Sequence, residues 1–174
     1  MTYQIPFRLK VLRAVSNTLK GITVANGYQF DLNTTGAVVR GRMTIGDDEP
    51  EVMLSILEPP AAVDQRRGAP DRSARETDWD LLIQGWAKDP LDTSEFEPCD
   101  MAYILAADVQ KALAKVRESA RGPGKPTLFG FERVMNLTTT PAVVRPAENT
   151  TSDFGMFYII LTLRIAEDTS APFG

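Results

Sequence analysis

Residues 156–166 form the longest apolar stretch of the chain, and their pattern restricts the folds that are possible. A period of two residues predicts a β-strand. Because apolar side chains occur on both sides of this strand, we expect it to be covered on both faces for much of its length. The alternating sets are Phe157, Ile159, Leu161, Leu163 and Ile165 against Met156, Tyr158, Ile160, Thr162 and Arg164. The stretch is about half as long as a helix needs to cross a bilayer, so no membrane partner is expected.

Two segments have the helical period and can supply the covering layer. The first helix begins near Pro6, whose fixed φ suits a first turn, and runs to about Lys20, before Gly21. The second begins with Asp100 as its N-cap and ends before the Gly- and Pro-rich residues 121–126. Its predicted buried stripe comprises Met101, Ile104, Leu105, Val109, Ala112, Leu113 and Val116.

Further strands are expected wherever apolar residues alternate between turn formers. The segments are 28–32, 38–45, Val52–Leu57, 79–87, 129–137 and 142–145. Residues 61–77 contain almost nothing large and apolar, which predicts a long exposed loop. The tail 168–174 is expected to be flexible. The order of elements favours one α+β domain over residues 1–174, with a single mixed, mainly antiparallel sheet and two helices packed against it.

The composition excludes several classes of function. The chain has no histidine, which removes the commonest general base and most zinc and copper sites. Its single cysteine, Cys99, can form neither an internal disulfide nor a zinc knuckle and is interpreted as a half-buried residue before a helix. With 19 basic and 23 acidic residues, general nucleic-acid binding is disfavoured. We expect no cofactor, no metal and no enzymatic activity.

Three short motifs were weighed as sites. Residues 122–125 superficially resemble a phosphate loop but follow a helix and lack the required length, so they are interpreted as a turn. Asp47 and Asp48 lack the spacing of a calcium loop and suit a charged hairpin turn. Asp78 and Asp80 lie on one face of a predicted strand, which leaves a small carboxylate-dependent enzyme as an alternative.

The loop 61–77 carries arginines suited to bidentate pairing with carboxylates or phosphates of a partner, although a solvated flap is equally compatible with its sequence. A second alternative, a regulatory or nucleic-acid adaptor, requires these arginines to join Arg8, Arg13 or Lys20 in one basic patch.

The order of elements resembles the tail terminator proteins of long-tailed bacteriophages, the lambda-type family of small α+β subunits. The features that carry the resemblance cover nearly the whole chain: the helix over 7–19, the strand Val52–Leu57 ending in Glu58, Pro59 and Pro60, the strand over 81–86, an acidic loop, the helix over 102–116 and the strand over 157–163. Neighbouring head-tail completion proteins share this pattern.

The resemblance implies a virion protein, synthesised in the host cytoplasm, that forms a hexameric ring. Such a ring caps the finished tail tube, ends its polymerisation and joins the head connector. The implied partners are copies of the chain, the tail tube protein and the head-tail connector protein, without a sequence-specific nucleic acid. Contacts are expected at Gln65, Arg66, Arg67, Arg72 and Arg75 of the loop, and at Asp47, Asp48 and Lys125 in charged turns.

Overall fold

The computed structural model of the chain describes residues 3–44, 50–59, 74–89, 99–146 and 153–173. Those residues form two α-helices, two single-turn 3-10 helices and six strands. In chain order the main elements are α1 (Phe7–Lys20), β1 (Val38–Arg40), β2 (Val52–Leu57), β3 (Ala74–Lys88), α2 (Asp100–Ser119), β4 (Val134–Thr139), β5 (Val143–Pro146) and β6 (Phe154–Asp168). The predicted α+β fold with a single mixed sheet is confirmed. Neither described helix is long and apolar enough to span a membrane.

The sheet is built around the antiparallel pair of β3 and β6, each 15 residues long. The strand order is β1-β2-β3-β6-β4, and β5 also pairs with β6. Only β1 and β2 are parallel; the remaining pairs are antiparallel. Because β2 pairs with residues 82–87 of β3 alone, residues 74–81 have β6 on one side and no described strand on the other.

Both helices contribute to one core on one side of the sheet, which we call the inner face. From the sheet, Trp79, Leu81, Ile83, Phe157, Ile159, Leu161 and Leu163 belong to this core. From the helices, Phe7, Val11, Val15 and Leu19 of α1 and Leu105, Val109 and Leu113 of α2 join them. The amphipathic patterns predicted for both helices therefore identify the sides that are buried.

Gly85 allows the core to close at the centre of the sheet. It lies opposite Phe157 in the register of β3 and β6. A Cβ atom at position 85 would lie 2.1 Å from Cε1 of Phe157 and 2.9 Å from Cδ2 of Leu54. Real Cβ atoms do not approach other atoms so closely, and the ring of Phe157 therefore occupies space that only glycine leaves open.

The predicted strand over 28–32 is wrong, although its alternate residues Tyr28, Phe30 and Leu32 are indeed buried. The segment is an irregular loop that follows the 3-10 turn Val24–Asn26. The buried carboxylate of Asp108 on α2 holds it, accepting hydrogen bonds from the main-chain N–H groups of Gln29 at 2.7 Å and Phe30 at 3.3 Å. The alternation arises because the loop inserts every second side chain into the core.

The predicted strand over 38–45 is shorter in the structure. Strand β1 ends at Arg40, because Gly41 has φ 80° and turns the chain away from the sheet. Met43 is consequently 75% exposed. Residues 45–49 lie outside the described residues.

The start of α2 also differs from the prediction. Asp100 is the first helical residue, and Cys99 occupies the cap position with φ 79° and no side-chain capping bond. The carboxylate of Asp89 accepts a hydrogen bond from the Cys99 N–H group at 3.1 Å. An acidic side chain does bind the main chain at the start of α2, but it is that of Asp89, in the segment after β3, and not that of Asp100.

Strand β4 begins at Val134 and not at residue 129, because Leu128–Gly130 forms a 3-10 turn in which Phe129 has φ 53°. Residues 74–77, placed in the central loop by their composition, belong to β3. The C-terminal tail contacts α1: Phe7 N–H donates to the carbonyl of Pro172 at 2.8 Å, and Lys10 Nζ donates to that of Phe173 at 2.9 Å. Its flexibility stays a prediction.

Candidate subunit interface

The side of the sheet opposite the helices, which we call the outer face, is only partly covered. Two cross-strand rows define its centre. One row is Leu57, Leu82 and Ile160; the other is Ser55, Gln84, Tyr158 and Val143. Leu57, Leu82, Tyr158 and Ile160 are half-buried, and Val143 is 38% exposed. On the inner face, where the helices pack, β6 is covered as expected; on the outer face Met156, Tyr158, Ile160 and Thr162 are half-buried and Arg164 is exposed.

Two features mark the limits of this apolar area. Ser55 is fully buried. Its hydroxyl is satisfied there, because it donates to the Arg42 carbonyl at 2.5 Å and accepts from the Arg42 N–H group at 3.2 Å. In the next row, Met53 and Trp86 are buried as well. The half-buried part of the outer face is thus centred on Leu82, Tyr158 and Ile160.

Gln84 is a polar residue within this apolar area. Its side-chain oxygen is buried and has no hydrogen-bond partner in the described parts of the chain. A buried acceptor without a donor costs about 1–3 kcal/mol. Because this oxygen is already buried within the chain, the outer face is covered at Gln84 and its apolar residues are the groups that a partner can contact.

Carboxylates follow the apolar area along the outer face. Asp80 accepts a hydrogen bond from Thr162 Oγ1 at 2.6 Å, and Arg164 pairs with Glu76 at 2.9 Å. The hydrogen bond from Arg164 to Glu76 raises the pKa of the Arg164 guanidinium above its ordinary value. Asp78 is exposed. Because Asp78 and Asp80 stand on an open sheet face, the geometry gives the carboxylate-dependent alternative no concave site.

The predicted contact residues that the structure describes lie in separate grooves. Arg75 is exposed at the start of β3 and borders a groove of about 400 Å³ with Arg133 and Glu167. Lys125 is exposed in a turn after α2 and borders a groove of about 440 Å³ with Arg117 and Arg121 among others. The turn interpretation of 122–125 is confirmed by the hydrogen bond from Lys125 N–H to the Gly122 carbonyl. Gln65, Arg66, Arg67, Arg72, Asp47 and Asp48 lie outside the described residues.

The basic residues of α1 differ in their surroundings. Arg8 forms a two-pronged ion pair with Glu167, at 2.8 and 2.9 Å, and its guanidinium lies 5.0 Å from the centroid of the Trp79 ring. Arg8 therefore takes part in holding the fold. Arg13 and Lys20 instead face a groove of about 490 Å³ between α1 and β1, together with Arg40.

The outer face is the feature that sequence reasoning missed. Its signal was present in the even-numbered positions of β6, where Thr162 and Arg164 interrupt the apolar series. Polar residues at those positions are typical of a strand with one uncovered face.

Comparison with solved structures supplies a likeness in fold. No family model matches the sequence, and no curated protein matches it. A chain in the solved structure titled "Virion of native gene transfer agent (GTA) particle" is 20% identical, with a TM-score of 0.50; the match covers 88% of this chain and 92% of that one. The two chains share a fold over most of their lengths.

Proposed function

We propose that the chain is a structural protein of a phage-like particle and acts there as the tail terminator. In this role it forms a hexameric ring that caps the tail tube, ends tube polymerisation and joins the tube to the head connector. The observation that carries the proposal is the apolar centre of the outer face, where Leu82, Tyr158 and Ile160 are half-buried and neither described helix packs on them. The likeness in fold to a chain of a virion, together with the order of elements along the sequence, supports the proposal that the particle is phage-like.

A sheet face with a half-buried apolar centre favours assembly over an independent existence, because a partner can bury the area that is still in contact with water. Large exposed apolar patches on soluble proteins mark contact surfaces, since their exposure to water is unfavourable. Tyr158 contributes an aromatic ring, and aromatic residues are enriched in the centres of interfaces. In the proposed role, the partners are copies of this chain, the tail tube protein and the connector protein.

A matched pair of tyrosine variants tests whether the outer face is the contact surface. Tyr158→Glu places a charge on the outer face, and Tyr103→Glu places the same charge on α2, where Tyr103 is 60% exposed. We expect Tyr158→Glu to weaken assembly at least tenfold and Tyr103→Glu to leave it unchanged, because a buried unpaired charge is strongly unfavourable at an interface. Equal assembly by both variants would show that the outer face is not used.

Multi-angle light scattering supplies the readout. The wild-type protein should be wholly or partly monomeric when dilute and should form a ring when tail tube protein is added. An unchanging monomer in the presence of tube protein contradicts the proposal. Electron microscopy of labelled particles then separates the tail terminator from another head-tail completion or neck protein, since only the terminator lies directly on the last ring of the tube.

A further inference from the structure

One edge of the first half of β3 pairs with no described strand. Lys88 N–H donates to the Glu51 carbonyl on the side of β2, at 2.8 Å. Main-chain groups along a strand point alternately to its two sides. Glu76, Asp78 and Asp80 therefore direct their N–H and C=O groups to the same side as Lys88, where β2 has already ended. We call these three residues the acidic edge.

No described strand pairs with the acidic edge. Among the described residues, Thr77 Oγ1 makes a local contact on this side and donates to the Asp78 carbonyl at 3.4 Å. The side chains of Glu76, Asp78 and Asp80 lie on the outer face, where Arg164 is the cation paired with them. The acidic edge thus combines unpaired main-chain groups with an excess of negative charge.

The groove between α1 and β1 has the opposite character, and we call it the cationic groove. Arg13, Lys20 and Arg40 line it, all exposed, and none of the described residues that line it is acidic. Within the described residues, none of these three side chains has an ion pair. Apolar atoms of Leu9 and Leu12 form part of its wall.

Strand β1 adds a second free edge at this groove. Ala37 and Gly41 form hydrogen bonds with β2, through the Ala37 carbonyl at 2.7 Å and Gly41 N–H at 2.9 Å. By the same alternation, the main-chain groups of Val38 and Arg40 point away from β2. The cationic groove therefore offers free donors and acceptors next to three unpaired cations.

We propose that the acidic edge of one copy docks into the cationic groove of the next copy. The inference rests on the proposed function, because it assumes that copies assemble into a ring. A ring needs two different, complementary patches on each subunit, and these two patches complement each other in charge and in unpaired main-chain groups. Opposed charges also set the register and direction of association.

Two charge-reversed chains provide the test. The groove variant is Arg13→Glu with Lys20→Glu, and the edge variant is Glu76→Lys with Asp78→Lys. Each variant alone brings like charges together at every contact, so we expect at least a tenfold loss of self-association. In an equimolar mixture every edge meets a groove of opposite charge, so we expect assembly to return as alternating rings.

The controls separate this contact from general charge effects and from misfolding. Lys115→Glu with Arg121→Glu makes the same charge change as the groove variant at exposed positions, Lys115 in α2 and Arg121 just after its end. It should neither lose assembly nor restore it to the edge variant. Thermal unfolding followed by circular dichroism verifies that each chain is folded, and the groove variant alters only exposed positions of α1.

Disulfide trapping gives an independent measurement that also detects weak contacts. A Lys20→Cys chain and an Asp78→Cys chain should cross-link to each other on oxidation, while the buried native Cys99 stays unreacted. If the wild type forms rings but the mixture stays dissociated and no cross-link forms, the docking proposal is overturned while the proposed function stands. If the wild type forms no ring with tube protein, the proposed function fails, and cross-linking at high concentration still decides the contact.

Discussion

Replacing Gly85 with alanine should strain the centre of the sheet. The added Cβ would lie 2.1 and 2.5 Å from two ring carbons of Phe157, and 2.9 Å from Leu54 on its other side. Non-bonded carbons prefer about 3.5–4.0 Å, so the ring must move by more than about 1 Å. Both neighbours are fully buried and have no open space to enter.

The expected cost follows from these distances. Overpacking a filled core costs about 1–3 kcal/mol. Replacing glycine in a compatible backbone conformation regains about 0.4–1 kcal/mol from the unfolded state. We therefore expect the free energy of unfolding of Gly85→Ala to fall by about 1–2 kcal/mol. For a chain of this size each 1 kcal/mol lowers Tm by about 2–4 °C.

Urea denaturation monitored by tryptophan fluorescence measures this loss. Phe157→Leu serves as the partner in a double-mutant cycle, because removing the ring opens the space that the new methyl group needs. The double variant should be more stable than the sum of the single effects predicts, by about 0.5–3 kcal/mol. A coupling energy near zero, or an unchanged Gly85→Ala, would refute the steric reasoning.

Two further predictions concern buried acidic groups. Asp108→Ala leaves the N–H groups of Gln29 and Phe30 without their acceptor and should destabilise the protein by about 2–4 kcal/mol in urea denaturation. Asp108→Asn keeps an acceptor oxygen and should lose less stability. Equal losses would contradict the role of Asp108 as the acceptor for these two groups. Burial, with added repulsion from Asp89 and Asp100, raises the pKa of the Cys99 thiol. Alkylation by iodoacetamide should therefore be slower in the folded than in the unfolded protein, and equal rates would contradict the raised pKa. The free energy of unfolding should also fall as pH rises through the ordinary thiol pKa, because the thiol of the unfolded chain loses its proton first.

The long periodic elements could be predicted from the sequence because local pattern and tertiary burial agree in them. Helix α1 and strand β2 were predicted almost to the residue, and β3 and β6 were recognised as central strands. The loop around Phe30 was mistaken for a strand because alternation reports which side chains are buried and not which main-chain groups pair. Asp108, about eighty residues away, makes that difference, and no local pattern contains it.

The contact surface was predicted in part. Arg75 and Lys125 remain predictions, since their exposure is consistent with a contact and does not establish one. The outer face was not anticipated, because whether a strand has one or two covered faces depends on where the helices pack. Residues such as Tyr158 and Ile160 are compatible with a strand that has one covered face and with a strand that has two.

The free edge of β3 has a consequence for the chain before it assembles. An unpaired strand edge can pair with the identical edge of another copy, which leads to aggregation. Here that symmetrical pairing would bring Glu76, Asp78 and Asp80 against their own counterparts. Mutual repulsion of the carboxylates disfavours that pairing, so the acidic edge protects single copies of the chain against edge-to-edge aggregation.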